Sequence, residues 1–174
     1  MPATIETPRL LLRPLTLDDA AAYWPLLRLP EVLRYVGEAP KTSVDEVRRI
    51  LQAAPLTDYA VHGYGRMACI EKSSGNLVGF SGLKYLADLR ETDIGYRFLP
   101  ECWGKGYATE SAQALIAQGR AQHGLARIVG LVDPANGASR RVLEKLGLVY
   151  ERDLDEAEGH GMMRLYATPP MDQP

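Results

Sequence analysis

The chain contains few cysteines and few histidines. Its 174 residues include two cysteines, Cys69 and Cys102, and three scattered histidines. Two cysteines on different predicted elements do not form the disulfide framework of a small secreted domain, which favours a reducing cytoplasm. The histidines and cysteines also lack the spacing of a metal site, so we expect no metal cofactor.

Long apolar runs and a surplus of positive charge are missing as well. No segment approaches the ~20 apolar residues of a membrane-spanning helix, and the first residues do not resemble a signal peptide. The 20 Lys and Arg against 22 Asp and Glu leave a net charge of −2. Because nucleic-acid-binding proteins usually carry excess positive charge, we expect neither nucleic acid nor membrane as a partner. The length predicts a single domain over residues 1–174, with 168–174 as a flexible tail.

The most informative stretch is residues 92–124, which predicts a strand, a glycine-containing loop and a helix. Ile94, Tyr96 and Phe98 alternate with smaller or charged residues, as in a strand. Apolar residues then recur at helical spacing from Tyr107 or Ala108 onward. Between strand and helix lies the sequence Trp103-Gly104-Lys105-Gly106-Tyr107-Ala108-Thr109.

This loop has the features of an anion site. Glycines let a ligand approach the backbone, and the first turn of a helix offers free N–H groups and the positive end of the helix dipole. A phosphate or pyrophosphate is the natural ligand, whereas a tight turn without a ligand is the alternative. A dinucleotide site is a further alternative, because Gly104-x-Gly106-x-x-Thr109 approximates G-x-G-x-x-G and Asp133 ends the next predicted strand. No Walker A sequence occurs.

The segment Leu99–Glu110 resembles the acetyl-CoA-binding motif of the GNAT superfamily of N-acetyltransferases, R/Q-x-x-G-x-G/A, here Trp103-x-x-Gly106-x-Ala108. Asn136-Gly137-Ala138-Ser139 and Glu144-Lys145-Leu146-Gly147 resemble a second segment of the family. Trp103 departs from the general first position of the motif, but an aromatic residue there resembles the Rim-type branch, which includes the ribosomal-protein N-terminal alanine acetyltransferases. The residues from Thr7 to Ala20 are also typical of that branch.

The predicted order of elements agrees with this resemblance. It is a strand, two helices, three strands, a helix, a strand, a helix and two strands. The first strand is predicted at residues 9–15. The first helix is predicted from Leu17 towards Leu29, kinked or divided at Pro25, and the second from Val44 to a point before Pro55. The resemblance implies an α/β fold, with a mixed, mostly antiparallel sheet of about seven strands, splayed at its centre and flanked by about four helices.

The resemblance also implies a set of ligand-binding residues. Acetyl-CoA would be the acyl donor, with its pyrophosphate on the loop, its pantetheine arm along the central strand and Asn136 on the pantetheine amides. Glu110 would turn away, because a carboxylate would repel the phosphates. The residues implied for acetyl-CoA are Phe98, Leu99, Gly104, Lys105, Gly106, Tyr107, Ala108, Thr109 and Asn136. Those implied for the acceptor are Trp24, Tyr35 and Tyr96, with packing in the core as the alternative.

The family reaction is direct attack of an amine on the thioester. Asp93 and Glu91 share one strand parity, and either is a candidate base, with a surface carboxylate as the alternative for each. Many family members have a tyrosine where this chain has Leu143, so Ser139 is the candidate proton donor instead. A first-turn hydroxyl bonded to its own backbone is the alternative for Ser139.

A loop at 153–161 carries several acidic residues and His160, and would attract a cationic acceptor or simply be solvated.

The first hypothesis is a cytoplasmic, acetyl-CoA-dependent N-acetyltransferase acting on a primary amine, either a protein N-terminus or a small molecule. A non-catalytic acyl-CoA-binding module is the alternative. The resemblance also suggests a homodimer.

Overall fold

The structure, a computed structural model, describes residues 1–155 and 161–171. Eight strands form one sheet in the order β1-β2-β3-β4-β5-β6-β8-β7. They are β1 (Ile5–Glu6), β2 (Leu10–Pro14), β3 (Arg66–Glu71), β4 (Leu77–Leu86), β5 (Glu91–Phe98), β6 (Val129–Val132), β7 (Val149–Leu154) and β8 (Met163–Ala167). Neighbouring strands are antiparallel except β5 and β6, which confirms the predicted mixed, mostly antiparallel sheet. The strand beyond the predicted seven is β1, a two-residue piece that pairs with β2.

Six α-helices accompany the sheet in the described part of the chain. They are α1 (Ala20–Tyr23), α2 (Pro30–Leu33), α3 (Val44–Leu51), α4 (Thr57–His62), α5 (Tyr107–His123) and α6 (Gly137–Lys145). The helix predicted from Leu17 towards Leu29 is divided, as expected near Pro25: 3₁₀ turns at Leu17–Asp19 and Trp24–Leu27 flank the single α-helical turn α1. Pro25 lies at the start of the second 3₁₀ turn, where a missing N–H costs little.

Helix α3 ends at Leu51, before Pro55 as predicted, but the helical path continues. A π-helical turn, Gln52–Leu56, carries the chain through Pro55 and directly into α4. The wider turn accommodates a residue that cannot donate a backbone hydrogen bond. Thr57 Oγ1 donates to the Gln52 carbonyl over 2.8 Å, which satisfies an acceptor near the proline.

Apolar residues cover both faces of the sheet, because alternate residues of each strand point to opposite sides. One buried cluster lies between the sheet and helices α5 and α6, and includes Leu12, Met67, Leu83, Leu115 and Leu143. The other lies between the sheet and helices α1 and α3, and includes Leu15, Tyr23, Val47, Leu51 and Phe80. The sheet is therefore a central layer with helices on both sides, and a large opening reaches its centre.

That opening lies where β5 and β6 part. The two strands run parallel and are paired at one position, Asp93 opposite Val129. Further along β6, the Leu131 N–H donates to Asp93 Oδ1 over 3.1 Å, so a side chain takes the place of a strand carbonyl. The central strands thus splay, as predicted.

Candidate functional site

A cleft of about 970 Å³ opens at the splay. One end of it, which we name the loop end, is lined by Gly104, Gly106, Tyr107, Ala108, Thr109 and Asn136. The other, which we name the α2 end, is lined by Tyr35, Glu38, Arg66, Phe80 and Arg97. Asp93, Gly95, Tyr96, Phe98 and Ser139 line the cleft as well. The cleft is large enough for a cofactor-sized ligand and a smaller partner.

The loop end is shaped by two glycines in left-handed backbone conformation. Gly104 has φ 76° and Gly106 has φ 82°, values that residues with a Cβ adopt only with strain. Gly106 is the N-cap of the 17-residue helix α5, and its carbonyl accepts the first helical hydrogen bond from Glu110 N. The N–H groups of Tyr107, Ala108 and Thr109 therefore have no acceptor within the helix and form a positive site for an anion.

Residues of the N-terminal segment stabilise the first turn of α5 through contacts outside the cleft lining. Glu110 accepts hydrogen bonds from Thr7 Oγ1 at 2.7 Å, from Arg9 N at 2.8 Å and from Arg9 Nε at 2.7 Å. Arg9 Nη1 donates to the Lys105 carbonyl over 2.6 Å, and the Arg9 guanidinium lies 4.7 Å from the centre of the Tyr107 ring. Burial alone would raise the pKa of Glu110, but the hydrogen bonds from Thr7 and Arg9 lower it overall. Glu110 thus bonds to the N-terminal segment and does not line the cleft, consistent with the expectation that it turns away.

The remaining predicted acetyl-CoA residues divide between the cleft and its surroundings. Phe98 lines the cleft, and its carbonyl accepts a hydrogen bond from Trp103 Nε1 at 2.8 Å. Leu99 lies outside the lining, packs against the cluster under α1 and α3, and donates its N–H to the Val78 carbonyl. Lys105 also lies outside, with Nζ 3.8 Å from Glu71 Oε1.

At the start of α6, three predicted residues meet. Asn136 Oδ1 accepts the Ser139 N–H over 3.1 Å as the helix N-cap. The Tyr96 hydroxyl lies 3.1 Å from Ser139 Oγ and donates to the Ser139 carbonyl at 3.0 Å. Burial raises the pKa of Tyr96 above its usual value, and the hydrogen bond from Ser139 opposes this only in part. Tyr96 therefore stays protonated and can donate to Ser139, a pairing that strand parity alone did not predict.

The two candidate bases occupy different surroundings. Asp93 is buried beside the cleft and accepts the Leu131 N–H. Glu91 lies outside the lining, where its Oε1 is 2.9 Å from Arg127 Nε. Arg127 also binds Glu151 through two hydrogen bonds of 2.8 Å. Equal strand parity thus does not bring the two carboxylates to one place.

The predicted acceptor residues are also separated. Tyr35 and Tyr96 line the cleft, but Trp24 does not. Trp24 packs beside the cluster under α1 and α3, and its Nε1 donates to the Lys41 carbonyl over 2.8 Å. The acidic residues Glu156 and Glu158, and His160, lie outside the described residues.

Sequence analysis missed the charged residues of the α2 end. Arg97 bonds to Glu38 Oε1 at 3.3 Å and to the Leu26 carbonyl at 3.1 Å, and it packs on the Phe80 ring. Arg66 packs on the same ring with 4.9 Å from Cζ to the ring centre. The parity of β5, which puts Arg97 on the same face as Asp93, was an available signal. Arg66 is far away in sequence and only the sheet register brings it there.

Within residues 1–155 and 161–171, no group of three or more His, Cys, Asp or Glu side chains is placed to hold a metal ion. Cys69 and Cys102 are buried free thiols, and burial raises the pKa of Cys69. In the same residues, no helix is long and apolar enough to cross a membrane.

Comparisons with known proteins agree with this site. A family model described as an acetyltransferase (GNAT) domain matches residues 9–149. The chain is 32% identical over 161 residues to the uncharacterized N-acetyltransferase p20 of Bacillus licheniformis, covering 90% of this chain and 89% of that protein.

Two solved structures have the same fold. An acetyltransferase of the GNAT family from Bacillus anthracis superposes with a TM-score of 0.79 at 27% identity, over 95% of this chain and 97% of that chain. RimL, a ribosomal L7/L12 alpha-N-protein acetyltransferase solved in complex with coenzyme A, superposes with a TM-score of 0.78 at 20% identity, over 98% and 99% of the two chains. The extent of the family match and of the p20 alignment is decisive: the chain belongs to the GNAT acetyltransferase family.

Proposed function

We propose that the protein is an acetyl-CoA-dependent N-acetyltransferase that transfers an acetyl group to a primary amine by direct attack in a ternary complex. The observation that carries this proposal is the cleft itself. Three features line it: the backbone anion site at the start of α5, the edge of β5 where it parts from β6, and the hydrogen-bonded hydroxyls of Tyr96 and Ser139. The solved structure of RimL with coenzyme A supports the choice of donor.

The loop end fits the pyrophosphate of acetyl-CoA. The N–H groups of Tyr107, Ala108 and Thr109 would donate to its oxygens, with no side chain needed from Gly104 or Gly106. The β5 residues near Phe98 would pair with the pantetheine arm as an added strand. Asn136 uses its Oδ1 to cap α6, which leaves its amide N–H groups as donors to that arm.

The catalytic steps are assigned to side chains that line the cleft. Asp93 would take a proton from the acceptor ammonium, either directly or through water. A backbone N–H near Phe98 would stabilise the negative charge that develops on the thioester oxygen. Ser139 would pass its proton to the departing thiolate. The Tyr96 hydroxyl, 3.1 Å from Ser139 Oγ, would then turn from the Ser139 carbonyl and donate to that oxygen.

The Rim-type branch is the finer family assignment that we propose. It is supported by the motif residue Trp103, by the segment from Thr7 to Ala20 and by the likeness of fold to RimL. This assignment concerns descent and leaves the acceptor amine open. We also propose a cytoplasmic location and a homodimer, and light scattering of the purified protein tests the second.

Calorimetric titration with acetyl-CoA, with NADH as the comparison ligand, tests the donor site. We expect binding of acetyl-CoA at micromolar concentration and none of NADH. Release of free thiol in the presence of a panel of amines then tests the reaction. Binding without thiol release for any amine would favour the non-catalytic acyl-CoA-binding module, and absence of acetyl-CoA binding would contradict the proposal.

A further inference from the structure

Arg66 lines the cleft, and its guanidinium has no hydrogen-bond partner in the part of the chain that the structure describes. Its guanidinium lies over the buried Phe80 ring, and its Nε is buried with no hydrogen-bond partner. Within residues 1–155 and 161–171, the Arg66 side chain makes no hydrogen bond and no ion pair. Buried N–H groups are nearly always paired, because leaving one unpaired is unfavourable. Residues 1–155 and 161–171 thus supply no acceptor for this group, and a bound ligand could supply one.

Arg97 shows that the neighbouring arginine is in a different state. It packs on the same Phe80 ring, at 5.3 Å, but binds Glu38 Oε1 and the Leu26 carbonyl. Among the described residues, Arg97 thus has hydrogen-bond partners and the Arg66 guanidinium has none.

Gly95 leaves space beside the Arg66 side chain, whereas Gly82 packs closely against the Arg66 backbone. The sheet register places Arg66 opposite Gly82, and Gly82 opposite Gly95, so the three form one row across β3, β4 and β5. A Cβ added at Gly95 would lie 3.7 Å from Arg66 Nη2 and 3.5 Å from Asp93 Oδ2. A guanidinium and a carboxylate therefore border the same small space in the cleft. Opposite charges at that separation match a ligand that carries an ammonium and a carboxylate a few atoms apart.

We propose that Arg66 binds a carboxylate of the acceptor, and that the acceptor is a small amine with a carboxylate near its amino group, as in an α-amino acid. The planar guanidinium presents its donors in a fork that matches a carboxylate. The amino group would lie on the Asp93 side of Gly95. A protein N-terminus carries a peptide carbonyl at this place and would leave Arg66 without a charged partner. This inference rests on the proposed function and specifies its acceptor.

The transfer balances with this acceptor. The amine nitrogen forms a bond to the acetyl carbon, and the carbon–sulfur bond breaks. The ammonium loses two protons, of which one leaves through Asp93 to solvent and the other ends on the coenzyme A thiol. The carboxylate takes no part in the bond changes and serves only to place the amine.

The test compares α-amino acids with their matching carboxamides, which keep the amine but lose the negative charge. The full chain is given acetyl-CoA and each compound, and both thiol release and the acetylated product are measured. We expect kcat/KM for the best acids to exceed that of their carboxamides by roughly 10- to 100-fold, as for a charged hydrogen bond. Arg66→Gln should raise KM for those acids by a similar factor, change kcat little and abolish the preference for the acid.

Arg28→Gln is the matched control. It removes the same charge from a guanidinium that also packs on an aromatic ring, 4.7 Å from Trp24, but outside the cleft lining. The preference for acids should be unchanged in this variant.

Gly95→Ala provides an independent test that leaves Arg66 in place. Its added methyl group would occupy the space between Asp93 and Arg66 at ordinary contact distances. We expect a higher KM for the acids, with the calorimetric affinity for acetyl-CoA unchanged in this variant and in Arg66→Gln.

The outcomes separate this inference from the proposed function. If acetyl-CoA binds but carboxamides or a short peptide with a free N-terminus are acetylated as well as the acids, the inference is overturned and the function stands. The same holds if no acid is acetylated, or if Arg66→Gln reduces turnover of acid and carboxamide equally. If acetyl-CoA does not bind, the proposed function fails and the inference fails with it.

Discussion

The loop end and the α2 end of the cleft are built from different parts of the chain. At the loop end, the groups that line the cleft are backbone N–H groups. The side chains of Arg9 and Glu110 stabilise this turn from outside the cleft. At the α2 end, side chains themselves line the cleft, and the Arg66 guanidinium has no hydrogen-bond partner among the described residues.

This difference indicates how the two ligands are recognised. Backbone groups in a helix turn suit a constant chemical group such as pyrophosphate, whatever side chains surround it. Side chains on neighbouring strands can be exchanged without changing the fold, so they suit a ligand that differs among relatives. Under the proposed function, the loop end would bind the part of the donor that relatives share, and the α2 end would select the acceptor.

The largest effect on kcat should come from replacing Asp93, whose carboxylate lies between the loop end and the α2 end of the cleft. Asp93→Asn keeps an oxygen for the Leu131 N–H but removes the base, and we expect kcat to fall by roughly 10²- to 10⁴-fold. Glu91→Gln is the matched control, because Glu91 lies outside the cleft beside Arg127. Steady-state thiol release measures both variants. Equal loss in the two variants, or loss in Glu91→Gln alone, would contradict the assignment of Asp93.

The hydroxyl pair should have the next largest effect. We expect Ser139→Ala to lower kcat by roughly 10²-fold, as loss of a positioned proton donor does, while the acetyl-CoA affinity stays the same. Tyr96→Phe should lower kcat less, and the double variant should resemble Ser139→Ala because the two hydroxyls act as a unit. Fully additive losses would show that Tyr96 acts independently of Ser139. Since the pKa of Tyr96 is raised, its contribution should persist as pH increases past the usual tyrosine range.

A substitution at the loop end should affect acetyl-CoA binding rather than chemistry. Gly106→Ala introduces a Cβ at φ 82°, and the strain of roughly 1–2 kcal/mol should weaken acetyl-CoA binding about 5- to 30-fold. Gly75→Ala is the control, because Gly75 has φ 73° in the β3–β4 turn, away from the cleft lining. It should lower the free energy of unfolding without changing the calorimetric affinity. Equal loss of affinity in both variants would mean that strain acts through overall stability.

The smallest effect should come from the contacts behind the loop. Glu110→Gln should lower the free energy of unfolding by about 1 kcal/mol at neutral pH. A larger loss is not expected, because Arg9 is half exposed and water screens its charge. The pKa of Glu110 is lower in the folded state, so its stabilisation is present above its unfolded pKa and is lost as pH falls through the folded value. Urea unfolding at neutral and acidic pH measures this. The difference between wild type and variant should shrink in acid, and a constant difference would contradict the role of the charge.

The central part of the fold could be predicted because its signals are local. The strand β5, the left-handed glycines and helix α5 follow from alternation, turn chemistry and helical spacing within one segment. The helices after the first strand were predicted less well. Pro25 and Pro55 interrupt their patterns, and the 3₁₀ and π turns that accommodate the two prolines depend on packing against the sheet.

The candidate site divides in the same way. Motif residues such as Gly106, Asn136 and Ser139 could be identified from the resemblance of two short segments to the family, and all three line the cleft. Trp24 and Glu91 could not be excluded from the cleft, because a sequence shows parity and apolarity but not which neighbour a side chain meets.

The sequence by itself determined the class of the protein, since the glycine loop, the helix that follows it and the Asn136 segment lie in short stretches with their own conformational rules. Only the tertiary structure decided which charges share the cleft. Arg66 and Asp93 are 27 positions apart in sequence. Both side chains lie beside Gly95, because the register of strands β3, β4 and β5 places Arg66 in the same row as that glycine. Strand register depends on pairing across the whole sheet.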